Sequence, residues 1–308
     1  MDELTNIENN NYNYTQYILE KQLHLQEALI EYCERIKTTT TIVEECTLQA
    51  IHNWECYQSK KKWLDIDAFD NDKITIIPYI PIGVRRLSIN CIAKLLEYIP
   101  ESVKELYYCE DNYCFPILPK GLRKLSCHVN NIKLPDEFPQ NLHTLEISSS
   151  IIGASPHLPN SLRNLIIKYN SIEPPNLPIG LKYLKYYMTR CYIPQQGLPS
   201  NLVRFECNET NIEKLPDILP RTLKVLCCGE NRLSSLPPLP EGLQVLICSY
   251  NKIEQLPLLP STLKVLHCGS NHLTYLPPLP KGIMRLICTD NYITNLPPLP
   301  ISLKELIN

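Results

Sequence analysis

Apolar residues in the C-terminal part of the chain return every twenty positions in a fixed order. Counted from the proline that opens each unit, they fall at offsets 3, 6, 8, 13 and 16, with asparagine at offset 11. In one regular copy these are Leu263, Leu266, Cys268, Leu273 and Leu276, with Asn271. Four near-identical units open at Pro220, Pro240, Pro260 and Pro280. Degenerate units open at Pro199, Pro178, Pro159, Pro139, Pro119, Pro100 and Pro81, at spacings of 19 to 21 residues. A fixed period of this length predicts a solenoid, in which each unit buries its apolar side against its neighbours.

Alternation around offsets 6 and 8 predicts a short strand with two inward side chains. The polar position at offset 11 then turns the chain, its side chain bonding backbone groups the strand no longer satisfies. It is occupied by Asn130, Asn170, Asn231, Asn251, Asn271 and Asn291, and by Asp111, Ser150, Thr189 and Thr210 in degenerate units. Returns such as Leu276-Pro277-Pro278-Leu279-Pro280 exclude an α-helix, because successive prolines remove donors and clash with the preceding turn. They predict an extended, polyproline-like convex side.

Residues 15–63 follow a different period. Tyr17, Ile18, Leu25, Leu29, Tyr32 and Ile36, then Val43, Cys46, Leu48, Ile51, Trp54 and Tyr57, stand at helical spacing. Two helices, roughly 15–37 and 41–62, are expected to cover the first rung of the solenoid. The domain plan is a disordered segment over 1–14, a helical N-terminal cap over 15–70, and a repeat array over 71–308. That array holds about eleven full units plus partial units at both ends. The expected fold is an α/β repeat solenoid, a horseshoe with short parallel strands on its concave face.

Charge and composition narrow the function. The net charge of −2 divides into −7 over residues 1–70 (six Lys/Arg, thirteen Asp/Glu) and +5 over 71–308 (twenty-four against nineteen). No basic run exceeds Lys60-Lys61-Lys62, which argues against a nucleic-acid partner. MDELTNIENNNYNY lacks the basic start and apolar stretch of a signal peptide. No segment approaches about eighteen apolar residues, so no membrane span is expected. Fourteen cysteines without an export signal then imply reduced thiols in a cytosol. Secretion systems that read a disordered N-terminus would leave no signal peptide either, which keeps the cytosol of a host cell within this expectation.

The unit LPPLPEGLQVLICSYNKIEQ (residues 236–255) resembles the short "LPX" leucine-rich repeat of the YopM and IpaH-type bacterial effectors. The resemblance covers about residues 71–308. A weaker likeness links Trp54-Glu55 and Trp63-Leu64-Asp65-Ile66 to the helical cap of those effectors. The chain departs from the pattern in carrying Cys207, Cys228, Cys248, Cys268 and Cys288 where Val or Ala is usual, and in lacking the ligase domain that follows the IpaH-type repeats. The resemblance implies a YopM-like scaffold without chemistry of its own, acting on host proteins. Large DNA viruses carry similar repeats. A substrate-recognition subunit of a ubiquitin ligase, recruited through the N-terminal helices, is the alternative.

Candidate catalysis is weak on the residues themselves. Cys109-Glu110-Asp111 and Cys288-Thr289-Asp290 have the Cys-x-Asp form of the family's ligases, yet both fall inside repeats, where a buried thiol is no nucleophile. The cysteines at offset 8 would form a column about 4.8 Å apart per rung, which cannot converge on one tetrahedral zinc with bonds of roughly 2.3 Å. No cofactor, metal or catalytic residue is expected.

Binding residues can be named, because offsets 5 and 7 flank the inward leucine and face the concave surface. They are Val225, Val245, Val265 and Arg285 at offset 5, and Cys227, Ile247, His267 and Ile287 at offset 7. Apolar residues on a solvated face mark a protein-binding site; the competing account is that β-branched residues suit strands. A second patch is aromatic, with Tyr169, Tyr183, Tyr187 and Met188 at outward offsets of two neighbouring units. The expected partner is a host protein. The final strand, Leu303–Asn308, offers a free edge through which a homodimer could form.

Overall fold

The computed structural model describes residues 63–67, 83–90, 99–109, 117–128, 134–135, 137–148, 157–169, 176–188 and 197–308. The expected disordered segment and both expected helices lie outside the described residues, as do Asp111, Asn130, Ser150, Asn170 and Thr189.

Thirteen strands stand side by side in chain order in one parallel sheet. They are β1 (Trp63–Asp67), β2 (Arg86–Asn90), β3 (Glu105–Cys109), β4 (Lys124–His128), β5 (Thr144–Ser148), β6 (Asn164–Lys168), β7 (Tyr183–Tyr187), β8 (Arg204–Asn208), β9 (Val225–Cys227), β10 (Val245–Ile247), β11 (Val265–His267), β12 (Arg285–Ile287) and β13 (Glu305–Ile307). Each of β2 to β13 starts five residues after an opening proline, from Pro81 to Pro300. The register keeps equal offsets opposite one another: Leu226, Leu246, Leu266 and Leu286 form one row.

β1 corrects one reading. Residues 63–67 fall within the segment assigned to a helical cap, but they form a strand paired in parallel with β2, Trp63 opposite Arg86. Trp63-Leu64-Asp65-Ile66 alternates apolar and polar with a period of two, which suits a strand and not a helix.

A repeated turn launches the strands. The amide at offset 3 donates to the carbonyl of the opening proline, as in Leu122 to Pro119 (3.0 Å), Leu243 to Pro240 (2.9 Å) and Leu303 to Pro300 (3.0 Å). These are β-turns that begin on proline and deliver an apolar residue inward. Offset 2 adds a side-chain rung where it is Ser or Thr. Ser161, Thr222, Thr262 and Ser302 each donate a hydroxyl to the offset-3 carbonyl of the preceding unit, at 2.6–2.8 Å.

Inside, the apolar residues at offsets 3, 6 and 8 form one continuous buried core from Val84 to Cys288. Each such leucine adds about 1.5–3 kcal/mol over leaving it in water. Degenerate units fill offset 8 with larger residues: Tyr186 is fully buried and meets Phe205 of the next strand edge-on, ring centroids 6.4 Å apart.

Strand length changes along the array, from five residues in β1–β8 to three in β9–β13. The asparagine ladder explains the change. Asn271 Nδ2 donates to the carbonyls of Cys248 (3.0 Å), Cys268 (3.1 Å) and Gly269 (3.2 Å), while its Oδ1 accepts from the Ile253 amide (3.0 Å). Asn251 and Asn291 repeat this set one rung away on either side. Carbonyls just beyond the strand are thus claimed by a side chain instead of the next strand. The residue before the asparagine then takes a left-handed conformation, φ 52–57° at Glu230, Tyr250, Ser270 and Asp290. That conformation turns the chain toward its return.

Candidate functional site

The sheet has a buried face and an open one, and the predicted alternation assigns them. Leu226, Leu246, Leu266 and Leu286 point inward with no exposure, as do Cys228, Cys248 and Cys268. Val225, Val245, Val265, Ile247, His267 and Ile287 stand half-buried on the open face, with Arg285 exposed beside them. Ile247, His267 and Ile287 are consecutive register partners, and so are Val225, Val245 and Val265. The seven side chains therefore form two adjoining columns, apolar except at His267 and Arg285.

Cys227 is the exception among the predicted residues. It occupies offset 7 but is only 6% exposed. Its register partner on the upstream side is Glu206, which lies with Arg204 and Lys185 close enough to influence its charge. Burial first, and then the Glu206 carboxylate, push its thiol up to about 11. It seals the upstream end of the apolar area instead of presenting a surface.

His267 sits in the middle of that area. Its Nε2 is buried and has no hydrogen-bond partner. Burial, with the nearby Arg285 guanidinium, holds the imidazole below its ordinary pKa, while Glu305 acts in the opposite direction. It is a neutral, largely apolar surface at neutral pH. Arg285 pairs with Glu305 of the last strand, closing the downstream end with an ion pair.

The aromatic residues are brought together as well. Tyr169 and Met188, 54% and 45% exposed, each follow a strand in the left-handed conformation, at φ 52° and 47°. Tyr169 meets Tyr187 edge-to-face at 5.8 Å. A hydrogen bond to Glu209 raises the Tyr187 hydroxyl pKa. Tyr183 instead joins a charged cluster. Burial and then Glu206 raise its pKa to about 12, and the Arg204 guanidinium lies 5.7 Å from its ring centre.

That cluster was not visible in the repeat pattern. Glu206 is nearly buried on the open face and accepts from Arg204 and from Lys185 Nζ (3.1 Å). Burial opposes its charge, but those two cations hold its pKa below the ordinary carboxylate value. Further upstream, Glu146 accepts from Lys168 Nζ (2.6 Å) and Ser126 Oγ (3.2 Å), and its pKa is lowered in the same way against burial. Arg86 pairs with Glu105 at 2.9 Å. Offset 7 places Lys185 and Glu206 on neighbouring strands β7 and β8, and these opposite charges could have signalled the pairing.

The buried thiols are unreactive. Burial pushes Cys127, Cys207, Cys228, Cys248 and Cys268 far above the ordinary thiol value. Cys288 moves in the same direction, so the Cys288-Thr289-Asp290 motif holds a thiol and not a thiolate. Asp290 itself accepts from Ser270 Oγ at 3.2 Å. For the other motif, Glu110 and Asp111 lie outside the described residues. The described cysteines are free of disulfides, and among the described residues no cluster of potential ligands could hold a metal ion. Among the same residues no helix is long and apolar enough to cross a membrane.

Parallel strands in chain order, a leucine core and an asparagine ladder define a leucine-rich-repeat solenoid. In that fold the chain is similar to YopM. YopM from Yersinia enterocolitica WA-314 superposes with a TM-score of 0.59 at 27% identity, over 82% of this chain; the chain spans 65% of that protein's length. YopM from Yersinia pestis, a leucine-rich effector protein, gives 0.57 at 21% identity, covering 93% of this chain and 99% of the other. An internalin from Listeria monocytogenes gives 0.50 at 16%, covering 73% and 80%. These last two likenesses show the fold alone. No protein-family model and none of the curated proteins matches the chain.

Proposed function

We propose that this protein is a non-enzymatic scaffold that binds another protein through the open face of β9–β12, the concave face of the solenoid. The observation that carries the reading is the mainly apolar area of Val225, Val245, Val265, Ile247 and Ile287, spread over four rungs and broken only by His267 and Arg285, while the strands upstream are charged and paired. A solvated sheet face alternates apolar-in with polar-out; a patch that breaks the rule over contiguous strands is the mark of an interaction surface. Likeness to YopM at 27% identity supports the same reading, and with it a role as an effector acting on a host protein in the host cytosol. The aromatic pair Tyr169 and Tyr187 extends the surface toward the upstream strands. The helical cap over the first rung and the polyproline-like convex side belong to the same proposal. Recruitment of a ubiquitin ligase would rest on residues 15–62, which lie outside the described residues, and no observation favours it.

The test is affinity capture from host cytosol with the full chain and with Ile247→Asp and Ile287→Asp. Both positions are half-buried and point away from the core, so the variants should unfold at denaturant concentrations close to the parent's. The expected result is a partner retained by the parent and lost from both variants. Partners captured equally by correctly folded variants would reject the open face of β9–β12 as the binding surface.

A further inference from the structure

Just before each strand, at offset 4, the chain places a second column along one lip of the sheet, and in the first half of the array that column is basic. Its members are Arg85, Lys104, Arg123, His143, Arg163 and Lys182. Backbone hydrogen bonds join them rung to rung. The Lys104 amide donates to the Arg85 carbonyl (2.7 Å), Arg123 to Lys104 (2.8 Å), His143 to Arg123 (2.8 Å), Arg163 to His143 (2.9 Å) and Lys182 to Arg163 (2.8 Å). Six side chains therefore stand in line, about 4.8 Å apart. Arg85, Arg123, His143 and Lys182 are exposed, and the other two are half-buried.

Arg85, Lys104 and Arg123 on one side of His143, and Arg163 and Lys182 on the other, place like charges on neighbouring rungs, which repel one another unless something neutralises them. Among the described residues, the carboxylates of the open face are paired with other cations: Glu105 with Arg86, Glu146 with Lys168, and Glu206 with Lys185 and Arg204. Among the described residues none of the six forms an ion pair with a carboxylate; Lys104 donates to the Glu101 carbonyl (3.0 Å) and Arg163 to the carbonyls of Asn160 (2.8 Å) and Leu162 (3.0 Å). Past Lys182 the column breaks up, with Val203, Gln244 and Met284 alternating with lysines.

We infer that this ridge docks an acidic helix of a protein partner, lying along the solenoid axis with about one carboxylate per turn. An α-helix repeats every 5.4 Å, and the rungs repeat every ~4.8 Å. Over six rungs the mismatch grows to about 3 Å, which long lysine and arginine side chains absorb. Nucleic acid fits less well. Single strands bind where aromatic rings alternate with cations so that bases stack, and offset 4 carries no aromatic residue from Arg85 to Lys182. The ridge is separate from the apolar area of β9–β12, so this docking stands or falls independently of the scaffold reading.

The test uses the full chain and a helical peptide with glutamate at i, i+4, i+7 and i+11, against a peptide of equal composition with its glutamates scattered around the helix. The expected result is that the striped peptide binds at least tenfold more tightly than the scattered one, and that binding weakens steeply with salt. Arg123→Glu with Arg163→Glu and Lys182→Glu should abolish it, and the milder Arg123→Gln with Lys182→Gln should weaken it severalfold. Ile247→Asp should leave it unchanged. Equal binding of both peptides, or of the parent and the triple variant, overturns the proposal. So does a single-stranded oligonucleotide that binds through the same residues while the striped peptide does not.

Discussion

The first eight strands and the last five are built from one repeat but hold themselves together differently. Upstream, strands of five residues carry a polar open face whose charges pair across the ladder, Glu146 with Lys168 and Glu206 with Lys185 and Arg204. Downstream, the carbonyls just past the three-residue strands β9–β12 are taken by Asn231, Asn251, Asn271 and Asn291, and the open face is freed of charge from Val225 to Val265. A buried ladder supplies rung-to-rung order from beside the core, so the open face need not. That division leaves the downstream surface available for a partner.

The comparison is tested most severely at the ladder. Asn271→Ala removes four hydrogen bonds and leaves the Ile253 amide without its acceptor in a buried setting, while the Cys248 and Cys268 carbonyls each keep one bond, from Asn251 and Asn291. Leaving that buried amide unsatisfied costs about 1–3 kcal/mol before relaxation, and each carbonyl bond lost adds about 1 kcal/mol. Loss of about 3 kcal/mol, read from chemical denaturation, is the expected outcome. Thr210→Ala, at the same offset where the two regions meet, removes one hydroxyl bonded to the Cys207 carbonyl (2.9 Å) and should lose about 1 kcal/mol. Equal losses at the two positions would mean that the ladder does not distinguish the regions.

The charged upstream face gives a smaller, pH-dependent effect. Glu206 is held below its ordinary pKa in the folded protein, so its contribution is fully present above the unfolded value and disappears as pH falls through the folded one. Glu206→Gln should therefore lower stability by about 1 kcal/mol at neutral pH, given that Arg204 is half-exposed and screened. In strong acid, where the parent carboxylate is itself protonated, the two proteins should converge. A difference that persists unchanged at acidic pH would place the contribution of Glu206 in packing instead of charge.

Legibility in the sequence followed the regularity of the repeat. The inward leucines and cysteines, the outward valines and isoleucines, and the asparagine rungs all obey offsets that one unit suffices to define. Cys227 did not, because its burial is decided by Arg204 and Glu206 in the preceding, irregular unit. Strand β1 was placed in the cap on a weak likeness of Trp63-Leu64-Asp65-Ile66 to the cap of the resembling effectors, and no proline five residues before Trp63 marks it as a repeat. The charged cluster required two units to be read against each other, Lys185 on one and Glu206 on the next. Offset-2 hydroxyls escaped notice because Gly alternates with Ser, Thr and Asn there, which resembles ordinary turn variability.

Cys248 and Cys268 occupy the inward column where Val would also fit, and burial keeps their thiols protonated. Cys248→Val should change stability by less than about 1.5 kcal/mol, since volume and polarity are nearly conserved. The native protein should leave both thiols unmodified by a maleimide until it unfolds. Rapid labelling of Cys268 in the folded protein would mean that the downstream core opens, and that the ladder holds it less firmly than its hydrogen bonds imply.

The smallest effect concerns His267, the one titratable group within the apolar columns. Its folded pKa lies below the ordinary 6.5, so between those two values the unfolded chain binds the proton more readily than the folded one. Stability must then fall as pH is lowered through that window. Burial is the main cause of the shift, Arg285 acts in the same direction and Glu305 against it. His267→Leu keeps an apolar side chain between Ile247 and Ile287 while removing the titration. Comparison of denaturation midpoints at pH 7.5 and pH 5.5 should show the variant losing less than the parent, by under about 1 kcal/mol. Identical losses would mean that the imidazole gains its proton without penalty, which is incompatible with a desolvated ring at the centre of the downstream face.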